Sequence, residues 1–233
     1  MRPRTLDHVA YWVADRDALS RFVTDHVGMH VIDRSDKFTL VGSNARRGKL
    51  TFFAAEGPRE RGALAHVALR VNDLEDALAQ LPSDVAVDRP RAGEAYFDVD
   101  PLVRLGLVEA ETDVDYDLDH VALFSTDPDE TAERYETLGF APAAPGPSGA
   151  PRVEVGGAYV EFHPGAPGDP ERPVLNHIAV LVDSADEHIA EANERGVEVD
   201  DVVDAPNTYA VFLRGPERVR VEYVEHKPTF SLT

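Results

Sequence analysis

One short pattern is written four times along this chain. Asp7-His8-Val9-Ala10, Ala65-His66-Val67-Ala68, Asp119-His120-Val121-Ala122 and Asn176-His177-Ile178-Ala179 share a histidine, a β-branched residue and an alanine in the same order. The four histidines stand 58, 54 and 57 residues apart. Near-constant spacing restricts the chain to a fold built from copies of one supersecondary unit. Each copy is short, apolar and β-branched, and so reads as a strand. Residues two apart in a strand share a face. Every histidine therefore has a small neighbour beside it (Ala10, Ala68, Ala122 or Ala179), on a face that must leave room for something.

The segment after each strand also repeats. An Asp-, Thr- or Ser-containing turn precedes a helical pattern: Asp15 or Asp17 before Leu19, Phe22 and Val23; Asp73 to Leu81; Thr126 or Asp127 with Pro128 before Tyr135 and Leu138; Ser184 before Ile189 and Ala192. Such residues accept hydrogen bonds from the free amides of a first helical turn. Glycines at 28, 139 and 196 close three of these helices. Strand-like pieces come next, such as Thr208 to Leu213 and Val219 to Val224, or the pair joined by Gly156-Gly157. The unit is β-α-β-β-β, four times over. The acidic run Glu111 to Asp117 is the expected boundary between two module pairs, residues 1–112 and 113–233.

Composition narrows the partners. The 233 residues carry 43 acids against 23 bases, a formal net charge of −20, which repels nucleic acid and anionic lipid. No apolar run is long enough to span a membrane, and the first residues, MRPRTLDH, lack the apolar stretch of a secretory signal. The absence of cysteine excludes disulfides, thiolate metal sites and a cysteine nucleophile, and fits a cytoplasmic location. A small-molecule substrate is the expected partner.

Two carboxylates stand where a strand should tolerate none. Glu222 lies in Arg218 to Val224, and Glu161 shares a face with Tyr159 and His163 in Ala158 to His163. A buried carboxylate is costly unless it is paired or bound to a metal. The second half thus offers His120, Glu161, His177 and Glu222, an N/O donor set suited to a divalent first-row metal. The matching places in the first half read Leu50-Thr51-Phe52-Phe53 and Leu105-Gly106-Leu107, so His8 and His66 are expected to be inherited strand residues without a role. His26, His30, His188 and His226 read as solvated; Tyr159, His163, Tyr209 and Arg214 read as candidates for the cleft.

These features resemble the vicinal oxygen chelate superfamily, which includes glyoxalase I, bleomycin-resistance proteins and extradiol dioxygenases. The resemblance rests on the four HVA/HIA strand starts and on Gly215-Pro216-Glu217-Arg218-Val219-Arg220-Val221-Glu222-Tyr223, which stands where the family has its strand-turn-strand ending. It implies an α+β fold in which four βαβββ modules pair into two half-open, barrel-like mixed sheets with helices outside. It also implies a divalent ion (Ni, Zn, Co, Mn or Fe(II)) on His120, His177 and Glu222, with Glu161 as fourth ligand or base. The leading implied activity is a glyoxalase-type lyase or isomerase acting on vicinal oxygens through a metal-stabilised enediolate, with Glu161 and Glu222 moving the proton. The alternative is an Fe(II) extradiol dioxygenase. Its usual His and Tyr-x-x-Asp-Pro signature is missing before Glu222, but His163 resembles a late third-module histidine of that group. A third reading is a bleomycin-resistance-like binding protein that needs no metal. Paired modules can be completed within a chain or across a homodimer.

Overall fold

The computed structural model describes residues 1–233. Each module opens with a lead strand bearing its histidine: Thr5–Val13, Leu64–Val71, Asp117–Ser125 and Leu175–Leu181. Each then forms a helix: Arg16–Phe22, Leu74–Leu78, Pro128–Thr137 and Ala185–Arg195. The side chains of Asp15, Asp73, Asp127 and Ser184 cap them, which selects Asp15 over Asp17 and Asp127 over Thr126. The first helix continues into a π-wound turn, Val23–Val27, and stops at Gly28, whose φ of 88° favours glycine. Each module ends in a closing strand that lies parallel to its own lead strand: Lys49–Ala54, Val103–Glu109, Ala158–Pro164 and Arg220–His226.

Two eight-stranded mixed sheets result. In each, two lead strands run antiparallel at the centre and the other strands extend outward. The partners are not the consecutive modules. Module 1 pairs with module 4, and module 2 with module 3, so residues 1–112 and 113–233 are not separate module pairs. The acidic run joins two modules of one sheet. The crossings between sheets are instead the segments around residues 60 and 173, which bond to each other through Glu60 and Val174 at 2.7 Å. All four copies carry the same pattern, so the repeat alone does not select partners. Flanking side chains add contacts particular to each pair: His226 of module 4 reaches Asp7, and Arg70 of module 2 reaches Asp119. Neither sheet needs a second copy of the chain to complete it.

The alanines explain themselves in this pairing. Ala179 lies opposite His8 and Ala10 opposite His177; Ala122 lies opposite His66 and Ala68 opposite His120. Each small side chain makes room for the imidazole of the partner module. The outer faces and helices of both sheets merge into one core of 46 buried residues, leaving the concave faces for the histidines. No helix is long and apolar enough to cross a membrane.

Candidate metal centre

A register shift marks the residue just before each histidine. Pairing skips Asp7 between Leu6 and His8 and skips Asn176 opposite the Ala10–Tyr11 step; Ala65 and Asp119 are skipped in the other sheet. Such bulges re-aim side chains. Here they turn the preceding residue toward its neighbour's ring. Asp7 Oδ1 stands 2.8 Å from His8 Nδ1, Asn176 Oδ1 2.9 Å from His177 Nδ1, and Asp119 Oδ1 2.7 Å from His120 Nδ1. In each case the oxygen accepts the Nδ1 proton and leaves Nε2 to face the cleft. Metal-ligating histidines are oriented in this way. Asp7 is itself anchored by a 2.8 Å bond from buried Lys49 Nζ and by His226 Nε2 at 3.1 Å. His226 is thus drawn in at 8% side-chain exposure, and His188 is buried with Nδ1 on Ser184 O; neither is the solvated residue its sequence context suggested.

On the first sheet, His8 Nε2, His177 Nε2 and a Glu222 oxygen converge. The two nitrogens are 2.9 Å apart, and Glu222 Oε2 lies 2.9 Å from His177 and 3.2 Å from His8. His177 and Glu222 are buried, and Glu222 Oε2 has no well-aligned hydrogen-bond donor. Three cis donors about 2.1 Å from one ion stand about 3.0 Å apart in an octahedral site and about 3.4 Å apart in a tetrahedral one. The observed triangle matches three donors on one octahedral face. The residues therefore fit a divalent ion, with positions left open for other ligands.

Protonation supports the same fit. Burial acts to lower the pKa of His8, but bonds to Asp7 and Glu222 outweigh it and push it up to about 9. Burial likewise acts to raise Glu222, yet the adjacent His177 and then His8 imidazoles hold it well below the usual carboxylate range. His177 is lowered, chiefly by burial.

The fourth position is filled differently. Register places Glu222 beside Ala179 and Glu161 beside Ala122; the equivalent residues are Thr51 beside Ala10 and Gly106 beside Ala68. Each sheet therefore has one glutamate, not two. Glu161 and His120 belong to the second sheet and do not join His177 and Glu222, which corrects the expected four-residue set. His8, expected to be without a role, takes the place assigned to His120.

In the second sheet His66 Nε2 and His120 Nε2 stand 3.0 Å apart, but Glu161 turns aside. It lies 3.7 Å from Arg152 and 3.6 Å from His163, and a side chain at Gly146 would run into its Oε1. Tyr96 fills the space over Gly106. Of the other cleft candidates, Tyr159 lies under the Arg152 guanidinium, Tyr209 bonds Asp186, and Arg214 pairs with Asp200.

An aromatic wall flanks the first centre. Phe53 and Phe212 lie 6.4 and 5.1 Å from the His177 ring, and Trp12 and Phe38 extend from Phe53 at 5.1 and 5.6 Å. One signal for module 1 was legible: Trp12 lies four residues beyond His8, on its face.

Known proteins share this arrangement of modules. A family model described as the Glyoxalase/Bleomycin resistance protein/Dioxygenase superfamily matches residues 5–95 and 117–223. No curated protein matches the chain. Among solved structures, it is similar to a putative dioxygenase from Bacillus subtilis (19% identity, 98% of this chain and 87% of that one, TM-score 0.78). It is also similar to glyoxalase I from Zea mays (16%, 95% and 92%, 0.74). A third is the cppA protein from Streptococcus pneumoniae (14%, 97% and 100%, 0.63). At these identities the likeness shows the fold.

Proposed function

The chain belongs to the Glyoxalase/Bleomycin resistance protein/Dioxygenase superfamily, and from that premise we propose that it is a ferrous, O2-dependent dioxygenase acting on a small molecule with adjacent oxygens. The observation that carries this reading is the donor set: two histidines and one carboxylate at octahedral-face spacing, with no fourth protein ligand. That set, with open positions, suits non-haem Fe(II) oxygenases. A ferrous ion there supplies a Lewis acid for two substrate oxygens and an electron source for O2.

The protein's own residues do the rest. His8 and His177 present Nε2 because Asp7 and Asn176 hold their Nδ1 protons. Glu222 supplies the negative charge, and it stays ionised. Phe53 and Phe212 set apolar rings against the His177 imidazole.

Glyoxalase-type isomerisation, the leading expectation from the sequence, is less well supported by this arrangement. Moving a proton between carbons calls for a base beside the ligand set. The place a second carboxylate would take holds Thr51, and Glu161 lies on the other sheet. The test is oxygen uptake by anaerobically iron-loaded protein offered catechols. Consumption of O2 with a yellow ring-opened product supports the proposal. Isomerisation of a hemithioacetal by nickel- or zinc-loaded protein, without O2 uptake from the iron form, would overturn it in favour of the glyoxalase reading. Ligand binding with neither activity would favour a binding protein.

A further inference from the structure

Glu222 is not the only polar side chain that its strand turns toward the cleft of the first sheet. Residues two apart share a face, so Glu222, Val224 and His226 form one row along Arg220–His226. His226 ends that row with its side chain only 8% exposed. Its Nδ1 is buried without a partner. A nitrogen stripped of water in this way costs stability, so packing alone does not account for a histidine here. The other nitrogen does. Nε2 lies 3.1 Å from Asp7 Oδ2, and Asp7 is the residue that accepts the Nδ1 proton of His8.

The two oxygens of Asp7 are engaged unequally. Oδ1 accepts from His8 Nδ1 and from Lys49 Nζ, both at 2.8 Å. Oδ2 is buried, and no well-aligned donor reaches it. The torsion that turns an aspartate carboxylate is broad. Contacts at Oδ1 alone therefore leave the carboxylate plane free to swing, and with it the direction from which Oδ1 meets His8. His226 faces the second oxygen and limits that swing. The equivalent Asp119 of the other sheet has its Oδ2 fixed as well, by Arg70 Nε at 3.1 Å. His226 is held in turn by the segment that follows it. Phe230 stacks on its ring with centroids 4.2 Å apart and planes inclined by 16°, and the Arg46 guanidinium lies 5.0 Å from the Phe230 centroid. Asn207 ties the segment down, its backbone oxygen accepting from Lys227 N at 2.9 Å and its side-chain oxygen from Ser231 N at 3.0 Å. We propose that His226 is a positioning residue for the metal centre: stacked on Phe230, it fixes the plane of Asp7 and thereby aims His8 Nε2 at the point shared with His177 and Glu222. This rests on the reading of His8 as a metal ligand, but the aim of the ring can be measured in metal-free protein.

Zinc affinity, read by competition with a chelator, should fall about tenfold in His226→Leu, and His226→Gln, whose amide N–H can reach the same oxygen, should stay within about threefold of the parent. Phe230→Ala alters a half-buried side chain outside the strand and should lose part of the affinity, whereas Phe230→Tyr keeps the stack and should retain it. In metal-free protein, nuclear magnetic resonance of the His8 Nδ1 proton, assigned by its loss in His8→Ala, reports the bond to Asp7 directly. That signal should shift or broaden in His226→Leu and return in His226→Gln. The matching signal of His120, whose aspartate is held by Arg70, should stay in place. Zinc affinity within about twofold of the parent, or an unmoved His8 proton, in His226→Leu would overturn the proposal. So would a His226→Gln protein as impaired as His226→Leu, since His226 would then act by packing alone. A parent protein that binds no zinc would defeat the reading of His8 as a ligand, and the proton signal would then decide the positioning role by itself.

Discussion

A metal ion at this proposed centre would compete with the proton on His8. His8 carries a pKa of about 9, while His177 is lowered and Glu222 lies far below neutrality. At pH 7 only His8 must lose a proton before it can ligate. A gap of about two pH units weakens apparent affinity about 100-fold, or about 2.7 kcal/mol. Affinity for zinc should therefore rise about tenfold per pH unit from pH 7 and level off above about 9. Calorimetric titration in buffers of different ionisation enthalpy should find close to one proton released per ion bound at pH 7. The metal-free protein has a matching dependence. Because the pKa of His8 is raised on folding, its stabilisation is complete below about 6.5 and is lost as pH climbs through about 9. Glu222 has the opposite sign, stabilising above its ordinary carboxylate value and losing that as pH falls. Flat affinity from pH 6 to 9 with no proton released would refute His8 as a ligand.

Other perturbations separate the two sheets. His8→Ala should cost at least about 100-fold in metal affinity, whereas His120→Ala should leave it within about twofold, as measured by competition with a chelator. Thr51→Glu restores a carboxylate at the fourth position; zinc affinity should rise while any iron-dependent O2 uptake falls at least about tenfold, because an open position is lost. Lys49→Met leaves buried Asp7 without its lysine, which should lower stability by about 3 kcal/mol in denaturant titration.

Much of this architecture was legible in the chain. The four His-x-Ala strands defined the module, and the capping candidates placed each helix start to within two residues, with Asp15 and Asp127 chosen only in the fold. His177 and Glu222 were identifiable because a strand carboxylate 45 residues after a repeated histidine needs a partner. The missing step was which modules meet. An alanine that admits an imidazole is present in all four copies, so the local pattern permits several pairings, and adjacency in sequence favoured the wrong one. Contacts particular to the observed pairing, such as His226 with Asp7, 219 residues apart, leave no periodic trace. The bulges were equally hidden. Strict alternation puts Asp7 and His8 on opposite faces, and only the extra residue in the ladder brings them together.

The central claim is that modules 1 and 4 jointly build one facial metal centre. Anomalous diffraction at the iron edge, from crystals grown anaerobically with ferrous ion, locates that ion without reference to activity. A single peak is expected about 2.0–2.2 Å from His8 Nε2, His177 Nε2 and a Glu222 oxygen. A peak between His120 and Glu161 on the other sheet, or no peak at all, would contradict the claim.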